Sequence, residues 1–280
     1  MSVERKLAAV IGWPVQQSVS PALHSHWLKE HGLKGAYVAL PVEPAHFGQC
    51  VASLPLMGFA GANVTVPHKE AAFALASSLD EDASATGAVN TLVFDGKAIA
   101  GMNTDVRGFA ASLSETLGAD AAGRGAAAVL GAGGAARAIV LALTRAGCPE
   151  IRVINRTPAR TEALVRSPAG GSIKAVKWGD WKTGFADAGL LVNTTSLGMT
   201  GKPALEIGLD LLPRDAAVAD IVYNPLETDL LRAARARGHR TMDGLGMLMH
   251  QAVPAFAAWF GITPKVTPQL RAQLERAIGG

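Results

Sequence analysis

The segment Gly131-Ala132-Gly133-Gly134-Ala135-Ala136 puts small residues where a backbone can come close to a phosphate. It follows the apolar run Ala126–Leu130, opens a helical pattern and reads G-x-G-x-x-A. In such a segment the first Gly permits a tight turn and the second lets the backbone approach a pyrophosphate. The small last residue lets helix and strand pack closely, and the anion meets the helix N-terminus. A tight turn in an α/β protein that binds nothing would look the same in isolation. Here the surroundings a dinucleotide needs are present: a strand before, a helix after, and a second strand about 20 residues on.

That second strand, Ile151–Ile154, ends in Asn155-Arg156-Thr157-Pro158-Ala159-Arg160, with no acid until Glu162. An Asp or Glu there would hold a ribose 2′-OH, whereas Arg accommodates a 2′-phosphate. Two guanidiniums and a hydroxyl suit a phosphate bound by planar forks, so the expected cofactor is NADP rather than NAD. The plainer alternative is that Thr157-Pro158 only caps a helix and both arginines are solvated.

Four more polar clusters lie at the ends of apolar strands, where α/β proteins build their sites. They are Ser18-Val19-Ser20-Pro21, Asn63-Val64-Thr65-Val66-Pro67-His68-Lys69, Ala88-Val89-Asn90-Thr91 and Asn103-Thr104-Asp105. Each has a structural explanation by itself. Ser20 serves as an N-cap, Lys69 as a solvated first-turn residue, and Thr104-Asp105 as the start of the Val106–Leu117 helix. Their joint occurrence is what points to chemistry.

The elements that must position these residues alternate strand and helix, which argues for parallel sheets with crossover helices. Leu7–Ile11 reads as a strand, and a helix begins at Ser20-Pro21, with Ser as N-cap and Pro first in the helix, closing at Gly32. Ala36–Leu40 and Ala60–Val66 read as further strands, followed by helical patterns from Ala45 and Lys69. Thr91–Phe94 and Ala98–Gly101 flank Asp95-Gly96, a strong hairpin signal. A second series begins at Ala126–Leu130, with a helix over Gly133–Ala146, the strand Ile151–Ile154 and a helix over Ala159–Val165. Later strands are expected at Leu190–Val192 and Val218–Ile221, with a weaker candidate at Ser172–Val176. Helices over Leu245–Phe260 and from Pro268 close the chain. On composition alone, the Ala/Gly-rich piece Gly118–Gly125 is the best domain boundary.

The 280 residues suit two domains, and 49% hydrophobic with 18% charged residues is globular composition. Net charge is only +3, and basic residues are interspersed with acids instead of forming a stripe, so no nucleic-acid partner is expected. Cys50 and Cys148 are the only cysteines, which excludes a disulfide framework and a zinc ribbon and fits a reducing compartment. His24 and His26 face different sides of a helix and make a poor metal pair, so no metal is expected. The first apolar run is too short for a signal peptide, and no stretch approaches the roughly 18 apolar residues of a membrane helix. The expectation is a cytoplasmic protein without a membrane partner.

In order and spacing the clusters resemble the shikimate dehydrogenase family. The resemblance rests on G-x-P-x-x-x-S-x-S-P at Gly12–Pro21, N-V-T-V-P-x-K at Asn63–Lys69, G-A-V-N-T at Gly87–Thr91 and G-x-N-T-D-x-x-G at Gly101–Gly108. It continues through Gly131–Ala135, N-R-T at Asn155–Thr157, N-T-T-S-x-G-M at Asn193–Met199 and D-G-L-G-M-L-x-x-Q-A at Asp243–Ala252. Val106 and Met102 stand where many members have Gly and Asp, and Gln17-Ser18-Val19 lacks the frequent His and Lys. Those departures bear on fine substrate specificity.

The resemblance implies NADP-dependent, reversible reduction of 3-dehydroshikimate to shikimate, a step toward chorismate and the aromatic amino acids. It implies Lys69 and Asp105 as the catalytic pair, Lys69 as acid/base and Asp105 accepting from the substrate hydroxyl beside the reacting carbon. Ser18 and Ser20 would hold the substrate carboxylate, with Tyr223 near it. Thr65, Asn90, Asp105 and Gln251 would bond the ring hydroxyls, and Asn63 would order the loop. The cofactor would lie against Gly131, Ala132, Gly133, Gly134, Ala135, Asn155, Arg156, Thr157, Arg160 and Gly244. The implied fold is a two-domain α/β protein with a cleft between the domains. An α/β substrate domain (residues 1–104, rejoined by C-terminal helices, 245–280) would accompany a Rossmann-like, doubly wound NADP domain (105–244). Only small-molecule partners are implied, and either a monomer or a homodimer would serve.

A glutamyl-tRNA reductase on a similar fold would need a reactive cysteine, and no electropositive motif surrounds Cys50 or Cys148. A quinate-preferring, NAD-using relative would favour an acid after the second strand. A catalytically idle NADP sensor would have no need of both Lys69 and Asp105.

Overall fold

The computed structural model describes residues 6–166 and 172–279; residues 1–5, 167–171 and 280 of the expected domain ranges lie outside them. The chain divides into two compact units, Met1–Thr104 with Gln251–Ile278, and Asp105–His250. The changeovers fall at Thr104/Asp105 and His250/Gln251, not in Gly118–Gly125. That Ala/Gly-rich piece is instead a loop with a 3-10 turn at Ala121–Gly123. Its glycines at 118 and 125 take positive φ values of 96° and 158°.

The first unit contains β1 (Lys6–Gly12), α1 (Ser20–Glu30), β2 (Gly35–Pro41), α2 (Phe47–Ser53), β3 (Phe59–Val64) and α3 (Lys69–Leu75). β4 (Ser78–Leu79), α4 (Glu81–Thr86), β5 (Thr91–Asp95) and β6 (Ala98–Met102) complete its N-terminal stretch. Among the described residues these strands form a six-stranded sheet in the order β2-β1-β3-β5-β6-β4. β1 pairs parallel with β2 and β3. β5 runs antiparallel to β3, and a turn at Gly96-Lys97, one residue later than expected because Asp95 still pairs with Ala98, makes it antiparallel to β6 as well. Ile11, Val64, Val89 and Leu92 pack with Phe47 and Val51 in its core.

The second unit contains α5 (Asp105–Leu117), β7 (Ala126–Leu130), α6 (Gly134–Arg145), β8 (Ile151–Asn155), α7 (Pro158–Val165) and β9 (Ile173–Lys177). It continues with α8 (Trp181–Phe185), β10 (Ala188–Asn193), β11 (Ala217–Asp220), α9 (Asp229–Ala236) and β12 (Arg240–Met242). Its sheet is parallel throughout, in the order β12-β11-β10-β7-β8-β9. This is the doubly wound dinucleotide-binding order, with its switch point between β7 and β10. β7 is buried along its whole length, which is why it reads as a continuous apolar run.

α10 (Gly244–Phe260) and α11 (Pro268–Gly279) close the chain. Trp259 of α10 donates its indole N–H to Leu92 O at 2.9 Å. The contact depends on Gly61: a Cβ there would lie 2.0 Å from the indole nitrogen and 2.2 Å from Leu92 O.

Three local expectations need correction. β3 stops at Val64, so Thr65 and Val66 lie beyond it in the turn. Ser20 is the first residue of α1 and not its N-cap: Val19 holds that place, and no side chain caps the helix. Ser18 takes up the Ser20 N–H instead, accepting it on Oγ at 3.3 Å. Finally, α4 was missed; Asp80 starts it by accepting the Ala83 N–H at 2.7 Å.

Candidate active site

In the first unit, the C-terminal ends of β1 and β3 are tied together. Thr65 N donates to Ile11 O at 2.9 Å and Trp13 N to Val66 O at 3.1 Å. The strands approach so closely at Gly12 that a Cβ there would lie 2.5 Å from the Thr65 methyl. The half-buried Thr65 follows directly. Beyond β1 come Ser18, half-buried, and Ser20, buried at the start of α1.

Lys69 opens α3, and its backbone is fixed on both sides. Its carbonyl accepts from Val89 N at 3.0 Å. The preceding His68 donates from Nε2 to Val42 O at 2.8 Å and stacks on Phe47, with ring centroids 4.5 Å apart. A carbonyl only accepts, so Nε2 carries a proton there, and burial lowers the His68 pKa, the Val42 bond opposing it.

Asn90 stands at the centre of a buried polar chain. Its Nδ2 donates to Thr104 Oγ1 at 2.9 Å and to Gln251 Oε1 at 3.3 Å. Its Oδ1 accepts from Thr104 N at 2.8 Å and from the Thr91 hydroxyl at 3.2 Å. Asn63 extends the chain, donating to Thr91 Oγ1 at 3.0 Å and accepting from the Tyr37 hydroxyl at 2.7 Å. These bonds tie Asn63 to β2 and to the start of β5. The structure brings Asn90 and Gln251, 161 residues apart, together. It adds Thr104, which the sequence offered only as a helix start, although it lies within N-T-D.

In the second unit, Asp105 is the buried first residue of α5. Tyr223 is half-buried beyond β11, in a segment that meets the start of α10. There Gly244 N donates to Val222 O at 3.2 Å, and a Gly244 Cβ would lie 2.1 Å from Ile221 O. Only glycine fits at that crossing.

The glycine turn follows β7 at the switch point. Gly131 has φ +106°, and a Cβ there would lie 2.7 Å from Thr194 Oγ1. That hydroxyl is held by Leu130 O at 2.6 Å. Gly133 is the N-cap of α6, where no side chain caps the first-turn N–H groups, and the space beside it is open. Ala132 and Ala136 are buried, and Gly134 and Ala135 are half-buried. At the end of β8, Asn155 Nδ2 donates to Thr157 O at 3.0 Å. Thr157 occupies the N-cap of α7 with no side-chain cap bond, so its hydroxyl is not used for capping. Arg156 and Arg160 are exposed and have no ion-pair partner among the described residues. An open, uncapped helix N-terminus beside two unpaired guanidiniums fits a dinucleotide with an additional phosphate.

Among the described residues no group of three or more His, Cys, Asp or Glu is placed to hold a metal, and no helix is long and apolar enough to cross a membrane. Burial raises the thiol pKa of both Cys50 and Cys148, the opposite of an activated nucleophile.

Residues 10–92 match the model of the shikimate dehydrogenase substrate binding domain, and residues 117–199 that of shikimate / quinate 5-dehydrogenase. The shikimate dehydrogenase (NADP(+)) of Methylobacterium radiotolerans is 55% identical, with both chains covered completely. That of Paramagnetospirillum magneticum is 52% identical over 97% of this chain and 99% of its own. Among solved structures, shikimate 5-dehydrogenase from Thermus thermophilus in complex with NADP(H) and shikimate superposes with a TM-score of 0.82 at 37% identity, covering 98% of each chain. Quinate dehydrogenase from Corynebacterium glutamicum in complex with NAD gives 0.84 at 33% identity, covering 97% of this chain and 99% of that one. Matched by both family models and by full-length relatives above 50% identity, the chain belongs to the shikimate dehydrogenase family of oxidoreductases.

Proposed function

We propose that this enzyme catalyses the reversible NADP-dependent reduction of 3-dehydroshikimate to shikimate, a step of aromatic amino-acid biosynthesis. The observation that carries the reading is the end-to-end identity with the Methylobacterium radiotolerans enzyme. The end of β8 supports the cofactor: Arg156 and Arg160 are unpaired, and Asn155 stands where an NAD site would place an acid.

Bound NADPH supplies the hydride equivalent, and the protein's part is orientation and charge. The Ser18 and Ser20 hydroxyls donate to the substrate carboxylate, and Tyr223 is assigned to the same carboxylate. Thr65, Asn90 and Gln251 bond the ring hydroxyls. The Lys69 ammonium stabilises the negative charge that develops on the reacting oxygen and donates the proton to it. Asp105 accepts from the neighbouring hydroxyl and fixes the ring. The first-turn N–H groups of α6 would meet the pyrophosphate, with Gly131, Ala132, Gly133, Gly134 and Ala135 small enough to admit it. Asn155, Arg156, Thr157 and Arg160 would hold the ribose phosphate end, and Gly244 would lie against the cofactor.

A second reading, a quinate dehydrogenase using NAD, is raised by the Corynebacterium glutamicum neighbour. A spectrophotometric assay of the purified protein with shikimate or quinate, each with NADP⁺ and NAD⁺, separates the two. Shikimate with NADP⁺ should give the highest kcat/KM. A preference for quinate or equal rates with NAD⁺ would overturn the proposal.

A further inference from the structure

Asp220 ends β11 with its side chain wholly buried, and nothing above uses it. Its Oδ1 accepts from Asn193 Nδ2 at 3.0 Å and from Val222 N at 3.0 Å, and its Oδ2 from the Thr228 hydroxyl at 2.8 Å. Each donor belongs to a different segment.

Asn193, at the end of β10, passes the constraint into the next turn. Its Oδ1 accepts from Thr195 N at 3.0 Å and Thr195 Oγ1 at 2.8 Å, and Thr195 Oγ1 accepts from Leu197 N at 3.1 Å. Thr194 and Thr195 face the Gly131 turn, where their side chains lie 2.7 and 3.2 Å from a Cβ built on Gly131. Val222 connects in turn to Gly244 and precedes Tyr223. Thr228 caps α9 by accepting Leu231 N at 3.3 Å.

A carboxylate suits this post because both of its oxygens accept; an asparagine would present an N–H group to one of the donors. The choice is costly. Burial pushes the Asp220 carboxyl up to about 6 against the pull of the Val222, Thr228 and Asn193 bonds. A neutral side chain would avoid that cost if packing were all that mattered.

We propose that Asp220 is a positioning residue for the nicotinamide cofactor: without touching it, Asp220 holds the 193–197 turn and the Val222–Tyr223 segment in the register that lets the Gly131 turn and Gly244 receive it. The inference rests on the proposed NADP dependence. It assigns the cofactor's fit to an acid lying across β10 from the glycine turn.

The test is NADPH binding by fluorescence titration, with shikimate binding measured alongside, on the parent and on Asp220→Asn. The expected result is NADPH binding weakened about tenfold or more, with shikimate binding nearly unchanged. A merely structural role would weaken both ligands together or lower only the melting temperature, and either result overturns the inference. If Asp220→Asn does not fold, Thr228→Val, which removes one of the three donors, should weaken NADPH selectively by a smaller factor; equal NADPH affinity in that variant would sink the idea. A parent that fails to bind NADPH overturns the proposed function itself, whereas a parent that binds it as tightly as both variants do overturns only this inference.

Discussion

Asn90 and Thr104 bond in both directions: Asn90 Nδ2 donates to Thr104 Oγ1 at 2.9 Å, and the Thr104 N–H and hydroxyl donate back to Asn90 Oδ1 at 2.8 and 3.2 Å. The pair fixes which end of the Asn90 amide faces Gln251, whose Oε1 lies 3.3 Å from both Asn90 Nδ2 and Thr104 Oγ1. Thr104→Val keeps the shape and removes the hydroxyl, leaving buried donors and acceptors short of a partner. The expected cost is about 1–3 kcal/mol of stability. Because Asn90 and Gln251 are assigned to the substrate, KM for shikimate should rise while KM for NADP⁺ stays nearly unchanged. Urea unfolding and steady-state kinetics on the same preparation check this; an unchanged shikimate KM would detach Thr104 from substrate binding.

Arg156→Ala with Arg160→Ala should weaken NADP(H) far more than NAD(H). Both guanidiniums are exposed and without an ion-pair partner among the described residues, so removing them breaks no salt bridge of the fold, and the loss expected is one of ligand contact. Each charge-assisted hydrogen bond contributes about 1.5–3 kcal/mol. Parallel titrations of both cofactors would show the difference, and equal weakening would mean that the arginines do not read the additional phosphate.

Much of this was legible because it is local. The β7–Gly131–α6 unit is written in consecutive residues, an apolar run followed by small ones, and the Asp95-Gly96 hairpin needs only its own turn. What escaped notice depends on partners distant in sequence or on elements too short to show a period. β4 has two residues and α4 six, fewer than a repeat can reveal. Asp220 lies unmarked inside the expected strand Val218–Ile221, since its meaning comes from Asn193, 27 positions away. Ser20-Pro21 misled because serine suits both the cap and the first turn. The hydroxyl at Ser18, accepting the Ser20 N–H, starts the helix one residue earlier.

His24 gives the fold an acid-sensitive point. Its ring is fully buried, stacked on Tyr37 with centroids 4.0 Å apart and edged by Trp27, and burial pushes its pKa down to about 3 from 6.5. Below pH 6.5 the unfolded chain takes up a proton that the folded chain refuses. The stability contributed by the neutral ring is therefore complete above pH 6.5 and is lost progressively as pH falls toward 3. The slope approaches about 1.4 kcal/mol per pH unit, or about 2 kcal/mol between pH 7 and pH 5. His24→Phe keeps an aromatic ring and has nothing to protonate. Its stability relative to the parent should improve by that amount between the two pH values, whatever the offset at pH 7. A constant offset in urea unfolding at pH 7 and pH 5 would refute the assignment.

Lys69→Ala should lower kcat strongly and leave shikimate binding comparatively intact. The proposed role places the ammonium's largest effect where charge develops on the reacting oxygen, so its loss is felt in the transition state more than in the bound complex. Positioned acid–base groups contribute about 10²–10⁴-fold, which sets the scale of the drop. The backbone at Lys69 is held by Val89 N and by the His68–Val42 bond, neither of which needs the lysine side chain. The turn should therefore survive in the variant, and the melting temperature shows whether any kinetic loss comes from a weakened fold. The competing possibility is that Lys69 only anchors the substrate while solvent provides the proton. That version predicts a large rise in KM with kcat nearly normal. Kinetics with shikimate varied at saturating NADP⁺, with the melting temperature measured beside them, separate the two. A Lys69→Ala enzyme that keeps the parent's kcat would remove Lys69 from the chemistry.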